Sequence, residues 1–360
     1  MPRKYGVPYK GSKSRIVEKL TKAIPCKGVD NFYDLFAGGC AVTHKMMLDN
    51  NYKHYYANDL DGQGVTLFAN AVNGAYNNER RWISRDMFFA LKDNDPYVSL
   101  CWSFGNNQRH YLYSKTIEPY KKACHYAIVF DDFSLLGELC PEVTEACEVA
   151  LSGITDVHER RIKFGPTVVK WLKTYGTADM VAKNPLYNSC HKKKNTRLQS
   201  LESLERLESL ESLESLERLE SLERLESLER LESLQSLESL ERLERLESDY
   251  REVQIKPNSV IYCDPPYKST DEYYRKKNVA FDYESFYDWC CEQSELVLIS
   301  EYNMPNDRFV EVWHTSHIQS LCATKTSEVT ERLFVPKHQV ARYHDMMILQ
   351  DNSLLHNILL

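Results

Sequence analysis

Two short apolar runs, each cut off by a loop signature, constrain this chain most. Asn31-Phe32-Tyr33-Asp34-Leu35 runs into Phe36-Ala37-Gly38-Gly39, and Val260-Ile261-Tyr262-Cys263 runs into Asp264-Pro265-Pro266-Tyr267. Runs this short are strand-sized and suit strands buried on both faces, the kind parallel sheets use. The glycine pair permits a sharp turn with close backbone approach. The proline pair holds φ at about −65° and removes two backbone donors, so that loop stays extended with its carbonyls outward. Two further runs, Tyr55-Tyr56-Ala57-Asn58 and 296–300, alternate with helical patterns at 41–50 and 282–292, and an amphipathic helix is expected from Ser14 to Ile24. Strand and helix in alternation predict an α/β fold with a largely parallel sheet.

Two stretches interrupt the alternation. Residues from about Trp102 to Arg197 read as helix-rich, and they carry basic clusters mixed with tyrosines: Arg109 to His125 with Lys115, Lys121 and Lys122, then Lys192-Lys193-Lys194 with Arg197. That composition suits phosphate contact and base stacking, and equally a solvated surface. Leu198 to Ser248 is a Leu-Glu-Ser/Arg triplet repeat with leucine at every third position to Leu246. It holds 15 Glu and 6 Arg, a net of −9, so a chain of formal charge −7 is close to neutral elsewhere. The repeat lacks Gly, Pro and β-branched residues, and each of its arginines follows a glutamate by four positions, as in Glu202/Arg206 and Glu241/Arg245, so helix is its expected state. A period of three winds the leucines around such a helix, leaving apolar surface that folding back or self-association would bury. The repeat therefore reads as an insertion without chemistry.

The chemistry-bearing residues lie where strands end. In open α/β sheets ligands bind beyond the carboxyl ends of strands. Asp34, Phe36, Ala37, Gly38 and Gly39 fit a loop that lets a cofactor approach the backbone, although a glycine pair also serves plain turns. Asp59 directly follows the next run and suits ribose hydroxyls; the competing reading is a helix cap before Gly62. Tyr9 and Lys13, ahead of the first helical pattern, could stack on and pair with a cofactor. Asp264 and the Pro265 carbonyl suit acceptance of hydrogens from an exocyclic amine, whose lone pair is otherwise delocalised into its ring, with Pro266 keeping the loop extended and Tyr267 offering a flat face to a flipped base.

Taken in order, Tyr9 to Lys13, Asp34 to Cys40, Asp59 and Asp264 to Tyr267 resemble the motifs of the Dam-type, D12-class DNA adenine-N6 methyltransferases of the phage-like branch. The resemblance implies a Rossmann-like sheet that binds S-adenosylmethionine through Tyr9, Lys13, Asp34, Phe36, Ala37, Gly38, Gly39 and Asp59. It also implies catalysis by Asp264, Pro265, Pro266 and Tyr267 without a metal, double-stranded DNA as partner, and a cytoplasmic enzyme of a bacterial or phage-infected cell. On this reading 1–100 and 249–360 form a discontinuous catalytic domain, 101–197 a target-recognition region opened by Trp102 to Asn107, and 198–248 the repeat; Ser300-Glu301-Tyr302 would line the substrate side. Cys40 stands where the family loop often has a third glycine, which would put a side chain near the cofactor. The recognition region lacks a match to enzymes that read GATC, so the target sequence does not carry over.

Other readings stay open on the residues, and the resemblance favours adenine. Pro25-Cys26 precedes the glycine loop, out of place for a C5-cytosine nucleophile. N4-cytosine, RNA or protein-glutamine methylation would use related amine chemistry, and a silent DNA-binding scaffold would have no need of an intact Asp264 loop. Eleven cysteines include no Cys-x-x-Cys pair, which points to reduced thiols, and no apolar run approaches the ~20 residues of a membrane span.

Overall fold

Residues 5–187, 242–267, 281–322 and 325–358 are described by the computed structural model. They fall into two compact units, one built from residues up to 77 and from 242 onward, the other from residues 78–187.

The first unit is a mixed α/β structure around a seven-stranded sheet. Its strands are β1 (Asn31–Asp34), β2 (His54–Asn58), β3 (Leu243–Leu246), β4 (Ser259–Cys263), β5 (Leu296–Glu301), β6 (Phe309–Cys322) and β7 (Lys325–Pro336), in the order β3-β2-β1-β4-β5-β7-β6. The first five in that order are parallel, and β7 runs antiparallel to both β5 and β6. Every residue of β1, β4 and β5 is buried, as strands covered on both faces require. Tyr33 and Tyr56, register partners on β1 and β2, stack with centroids 4.2 Å apart. The four apolar runs of the sequence are thus the four adjacent strands β2, β1, β4 and β5. The chain passes from β1 outward to β2 on one side while β4 flanks its other side, so the order reverses between β1 and β4.

Helices Ala41–Leu48 and Gln63–Val72 follow β1 and β2, Tyr283–Glu292 leads into β5, and Val340–Ile358 follows β7. The single helix expected from Ser14 to Ile24 is instead three short turns, Lys13–Arg15, Val17–Leu20 and Thr21–Ala23, of which only the second is α-helical. Ile16, Val17, Thr21 and Ile24 are β-branched and crowd a regular helix, and Ile16 at φ −114° interrupts it.

The repeat departs from expectation at its end. Most of it lies outside the described residues, but Leu243–Leu246 is strand β3, paired with β2 from Tyr55↔Leu243 to Asn58↔Leu246. Helix propensity gives way there to the unpaired amides and carbonyls of β2, which a strand satisfies and a helix does not. Ser248 donates its backbone N–H and hydroxyl to Asn58 Oδ1 at 3.1 and 3.2 Å, and Asn58 Nδ2 returns a bond to the Ser248 carbonyl at 3.0 Å. Arg242 donates to the Tyr52 carbonyl at 3.1 Å and to Asn50 Oδ1. The helical reading of 198–248 is therefore corrected for 243–246, which belong to the sheet.

The second unit is helical, with Glu118–Phe130, Pro141–Leu151 and Val157–Tyr175 its longest elements. Trp82 stacks on Tyr113 and meets the buried Trp102 edge-on at 5.1 Å. Arg160, also buried, donates to the Ala127 and Ile128 carbonyls at 2.6 and 2.8 Å and so satisfies the end of the helix Glu118–Phe130. Among the described residues no helix is long and apolar enough to cross a membrane.

Candidate active site

The reversal of strand order between β1 and β4 brings the two loop motifs side by side. Asp34 pairs in register with Tyr262, two residues before Asp264, and the next amide, Leu35, donates to the Tyr262 carbonyl at 3.0 Å. Sequence separation of more than two hundred residues thereby becomes adjacency at the carboxyl ends of two neighbouring strands.

The glycine loop is held mainly by backbone. Gly38 has φ +49°, and a Cβ there would lie 2.9 Å from Tyr9 Cε1; at Gly39 it would lie 2.5 Å from Tyr9 Cβ and 2.8 Å from the Val7 carbonyl oxygen. Both positions need glycine because the segment around Tyr9 packs against them. Val7 donates to the Gly39 carbonyl at 2.8 Å and Ala37 to the Asn58 carbonyl at 2.8 Å. Asp59 is buried; its Oδ2 accepts from the Gly38 amide at 2.9 Å and its Oδ1 from Asp61 at 3.0 Å. The helix-cap reading of Asp59 gives way to a stitch between the end of β2 and the glycine loop. Cys40 takes the left-handed conformation, φ 57°, that a third glycine would adopt freely, and its side chain is fully buried. Phe36 joins an aromatic cluster with Tyr250 and Phe286 at 5.4 and 5.7 Å.

Asp34 is the buried acid of this loop. Its Oδ2 accepts from Thr43 Oγ1 at 2.7 Å, while Oδ1 is buried with no hydrogen-bond partner among the described residues. Burial pushes its carboxyl up to about 7, Thr43 opposes the rise, and the charges of Asp264 and Asp59 add to it.

The second loop is held by side chains. Lys13 donates to Asp264 Oδ1 and Oδ2 at 2.6 and 2.7 Å, and its ammonium lies 4.6 Å from the centre of the Tyr267 ring. Burial lowers the Lys13 pKa, but Asp264 and Glu331 offset this and leave it raised. Burial lifts the Asp264 carboxyl to about 6, with Lys13 pulling it down and Glu331 pushing it up. The Tyr267 hydroxyl donates to Glu331 Oε1, which also accepts from Ser300 Oγ at 2.7 Å. Tyr302 meets the Tyr267 ring edge-on at 4.4 Å. The Pro266 carbonyl accepts from Tyr283 at 2.8 Å, and Pro265 is buried.

The structure therefore brings Lys13, Asp34, Gly38, Gly39, Asp59 and Asp264 to Tyr267 into one region. Lys13 stands on the Asp264 carboxylate, Tyr9 under the glycines, and Tyr267 with its ring already in contact with Lys13 and Tyr302. Sequence reasoning missed Glu331, on β7, and nothing in the isolated Thr330-Glu331-Arg332 sets it apart. In the helical unit the expected surface of basic and aromatic residues is partly core: Lys121 is buried, and so are His125, Tyr111 and Tyr113, against Arg80, Trp82 and Trp102. Lys192-Lys193-Lys194 and Arg197 lie outside the described residues.

A glycine loop and an acid-bearing loop meeting at the point of strand reversal of an α/β sheet have the layout of a ligand-binding site. Residues 9–136 match the D12 class N6 adenine-specific DNA methyltransferase family. That segment, about a third of the chain, is similar to the family, and the match supports methylation of adenine N6 in DNA as the reaction. The matched segment takes in Tyr9, Lys13, the glycine loop and Asp59 and ends before the Asp264 loop. No curated protein matches the chain.

Proposed function

We propose that methyl transfer takes place where β1 and β4 meet, on a Rossmann-like methyltransferase sheet, with Asp264 as the group that receives the adenine amine. The observation that carries this reading is Asp264 beside the glycine loop, in a buried setting that lifts its carboxyl to about 6. A carboxylate poised there accepts amine hydrogens near neutral pH and can take the proton displaced from N6. The buried, unsatisfied Asp34 Oδ1 and the three acids Asp34, Asp59 and Asp264 fit a ligand with positive charge and hydrogen-bond donors, as S-adenosylmethionine has. Asp34, Asp59 and the backbone of Gly38 and Gly39 would hold it, with Tyr9 and Phe36 shaping the loop. When bound, the cofactor supplies an electrophilic methyl on a sulfonium.

The chain's own residues do the rest. Asp264 holds the amine with its hydrogens directed at Oδ1 and Oδ2, which frees the nitrogen lone pair to point at the methyl. Asp264 would receive the proton that N6 loses and pass it to water. Pro265 and Pro266 keep the loop extended, and Tyr267 packs beside the base once Lys13 has moved off its ring. The helical unit, residues 78–187, would read double-stranded DNA; its exposed Phe104 and Arg109 lie on the loop that leaves Trp102. The test is transfer of labelled methyl from S-adenosylmethionine to unmethylated DNA, followed by mapping of the modified adenines. Label on cytosine, or none on DNA, would reject this reading.

A further inference from the structure

We infer that Glu331 is a positioning residue for the methyl-transfer site: it fixes Tyr267 and provides the second carboxylate to which Lys13 moves when the substrate amine takes its place on Asp264. This rests on the assignment of Asp264 as the amine acceptor. In the structure Lys13 occupies both Asp264 oxygens, at 2.6 and 2.7 Å, so the amine cannot be received until the ammonium releases at least one of them. Moving a mostly buried ammonium off its nearest carboxylate is costly unless a second anion stands within reach. Glu331 Oε1 lies 3.6 Å from the same Nζ, close enough for rotation at the end of the lysine side chain to exchange one carboxylate for the other.

Glu331 is suited to that task because it is anchored. Its side chain is 4% exposed, Ser300 on β5 donates to its Oε1, and so does Tyr267, three residues beyond Asp264 on the same loop. Antiparallel pairing of the neighbours Glu301↔Arg332 and Ser300↔Leu333 sets its height on the sheet. One carboxylate therefore links the position of the loop to the position of Lys13. The groups around Asp264 are Lys13, Glu331 and Tyr267, with Asp34 at the end of β1, Tyr262 on β4 and Tyr302 after β5. Among them Glu331 opposes ionisation of Asp264 by charge, and Lys13 favours it.

Steady-state kinetics of Glu331→Gln, with cofactor binding measured by calorimetry, tests the inference. The expected result is a kcat lower by on the order of 10²-fold, from a misplaced loop and a lysine held on Asp264, with S-adenosylmethionine affinity unchanged. The acid limb of kcat/KM should also move to lower pH, because the charge that resists Asp264 ionisation is gone; a purely structural role would leave that limb in place. Glu331→Asp, which keeps the charge, should return the limb towards its wild-type position. Wild-type kcat and an unmoved limb in Glu331→Gln would overturn the inference. If the Gln variant fails to bind cofactor, Ser300→Ala takes its place, loosening Glu331 but keeping its charge: lower kcat with the limb unmoved supports the inference, and wild-type kcat overturns it. Asp264→Ala separates the two levels. If it is active, the site assignment itself fails; if it is inactive while Glu331→Gln behaves as wild type, only the role of Glu331 fails.

Discussion

The two loops at the heart of the site are neighbours built on opposite principles. The glycine loop after β1 is fixed largely by backbone groups close by in sequence: Val7, Ala37 and Asn58 supply amides and carbonyls, and Tyr9 fills the space that side chains at Gly38 and Gly39 would occupy. The Asp264 loop after β4 is fixed by charged and hydroxyl side chains from distant segments, Lys13 some 251 residues away and Glu331 64 residues beyond Tyr267. The first is a rigid cradle whose failure should cost folding and cofactor binding. The second is an ion-pair arrangement that can exchange partners, and its failure should cost rate.

The largest effect should come from the second loop. Asp264→Ala is expected to lower methyl transfer by at least 10²- to 10⁴-fold, about the worth of a positioned acid–base group, with little change in cofactor affinity. Labelled-methyl assays paired with calorimetry measure both, and parallel losses in rate and cofactor binding would erase the distinction between the loops.

The pH dependence of stability sharpens it next. Asp34 is raised from 3.8 to about 7, so the folded chain binds that proton more tightly than the unfolded chain does. Folding stability from this group is therefore greatest below pH 4 and declines as pH rises towards 7, by an amount on the order of a few kcal/mol. Asp34→Asn should flatten that part of the Tm-against-pH curve, and an unaltered slope would show that Asp34 is not the buried acid responsible. Asp264, raised to about 6, carries the opposite consequence for catalysis, since activity should fall as pH drops through that value and the acceptor protonates.

A smaller effect belongs to the first loop. Gly39→Ala places a Cβ within 2.5 Å of Tyr9 Cβ, and overpacking of this kind costs about 1–3 kcal/mol. Chemical denaturation and cofactor titration should both register it, while kcat at saturating cofactor stays near wild type. A variant that keeps its stability but loses kcat would place the glycine loop with the chemistry after all.

The smallest concerns the repeat. Replacing 199–241 with a short Gly/Ser linker should leave stability and activity near wild type. Carrying the replacement through Ser248 removes β3 and its bonds to Asn58, each hydrogen bond contributing about 0.5–1.5 kcal/mol. Equal midpoints in urea for the two deletions would mean that β3 contributes nothing to the sheet.

Legibility followed the range of the interactions. Asn31-Phe32-Tyr33-Asp34 and Val260-Ile261-Tyr262-Cys263 are apolar runs with loop signatures after them, and both are buried parallel strands in the places expected. Ser14 to Ile24 misled because an amphipathic pattern outweighed the β-branched residues at 16, 17, 21 and 24. Tyr111, Tyr113 and Lys121 misled because tyrosine and lysine have the same composition signature whether they face phosphate or are buried, the two tyrosines here against Trp102 and Trp82.

By itself the sequence determined four of the seven strands, β1, β2, β4 and β5, the turns that follow them, and that Asp34, Asp59 and Asp264 stand at their ends, since backbone restriction by glycine and proline and the burial demanded by short apolar runs are local properties. Only the tertiary structure decided that Lys13 stands on Asp264, that Glu331 completes the group, and that Leu243–Leu246, near the end of the leucine repeat, form β3. Those outcomes depend on which chain segments the sheet order brings together, and on edge amides and buried charges that must find partners wherever the fold supplies them.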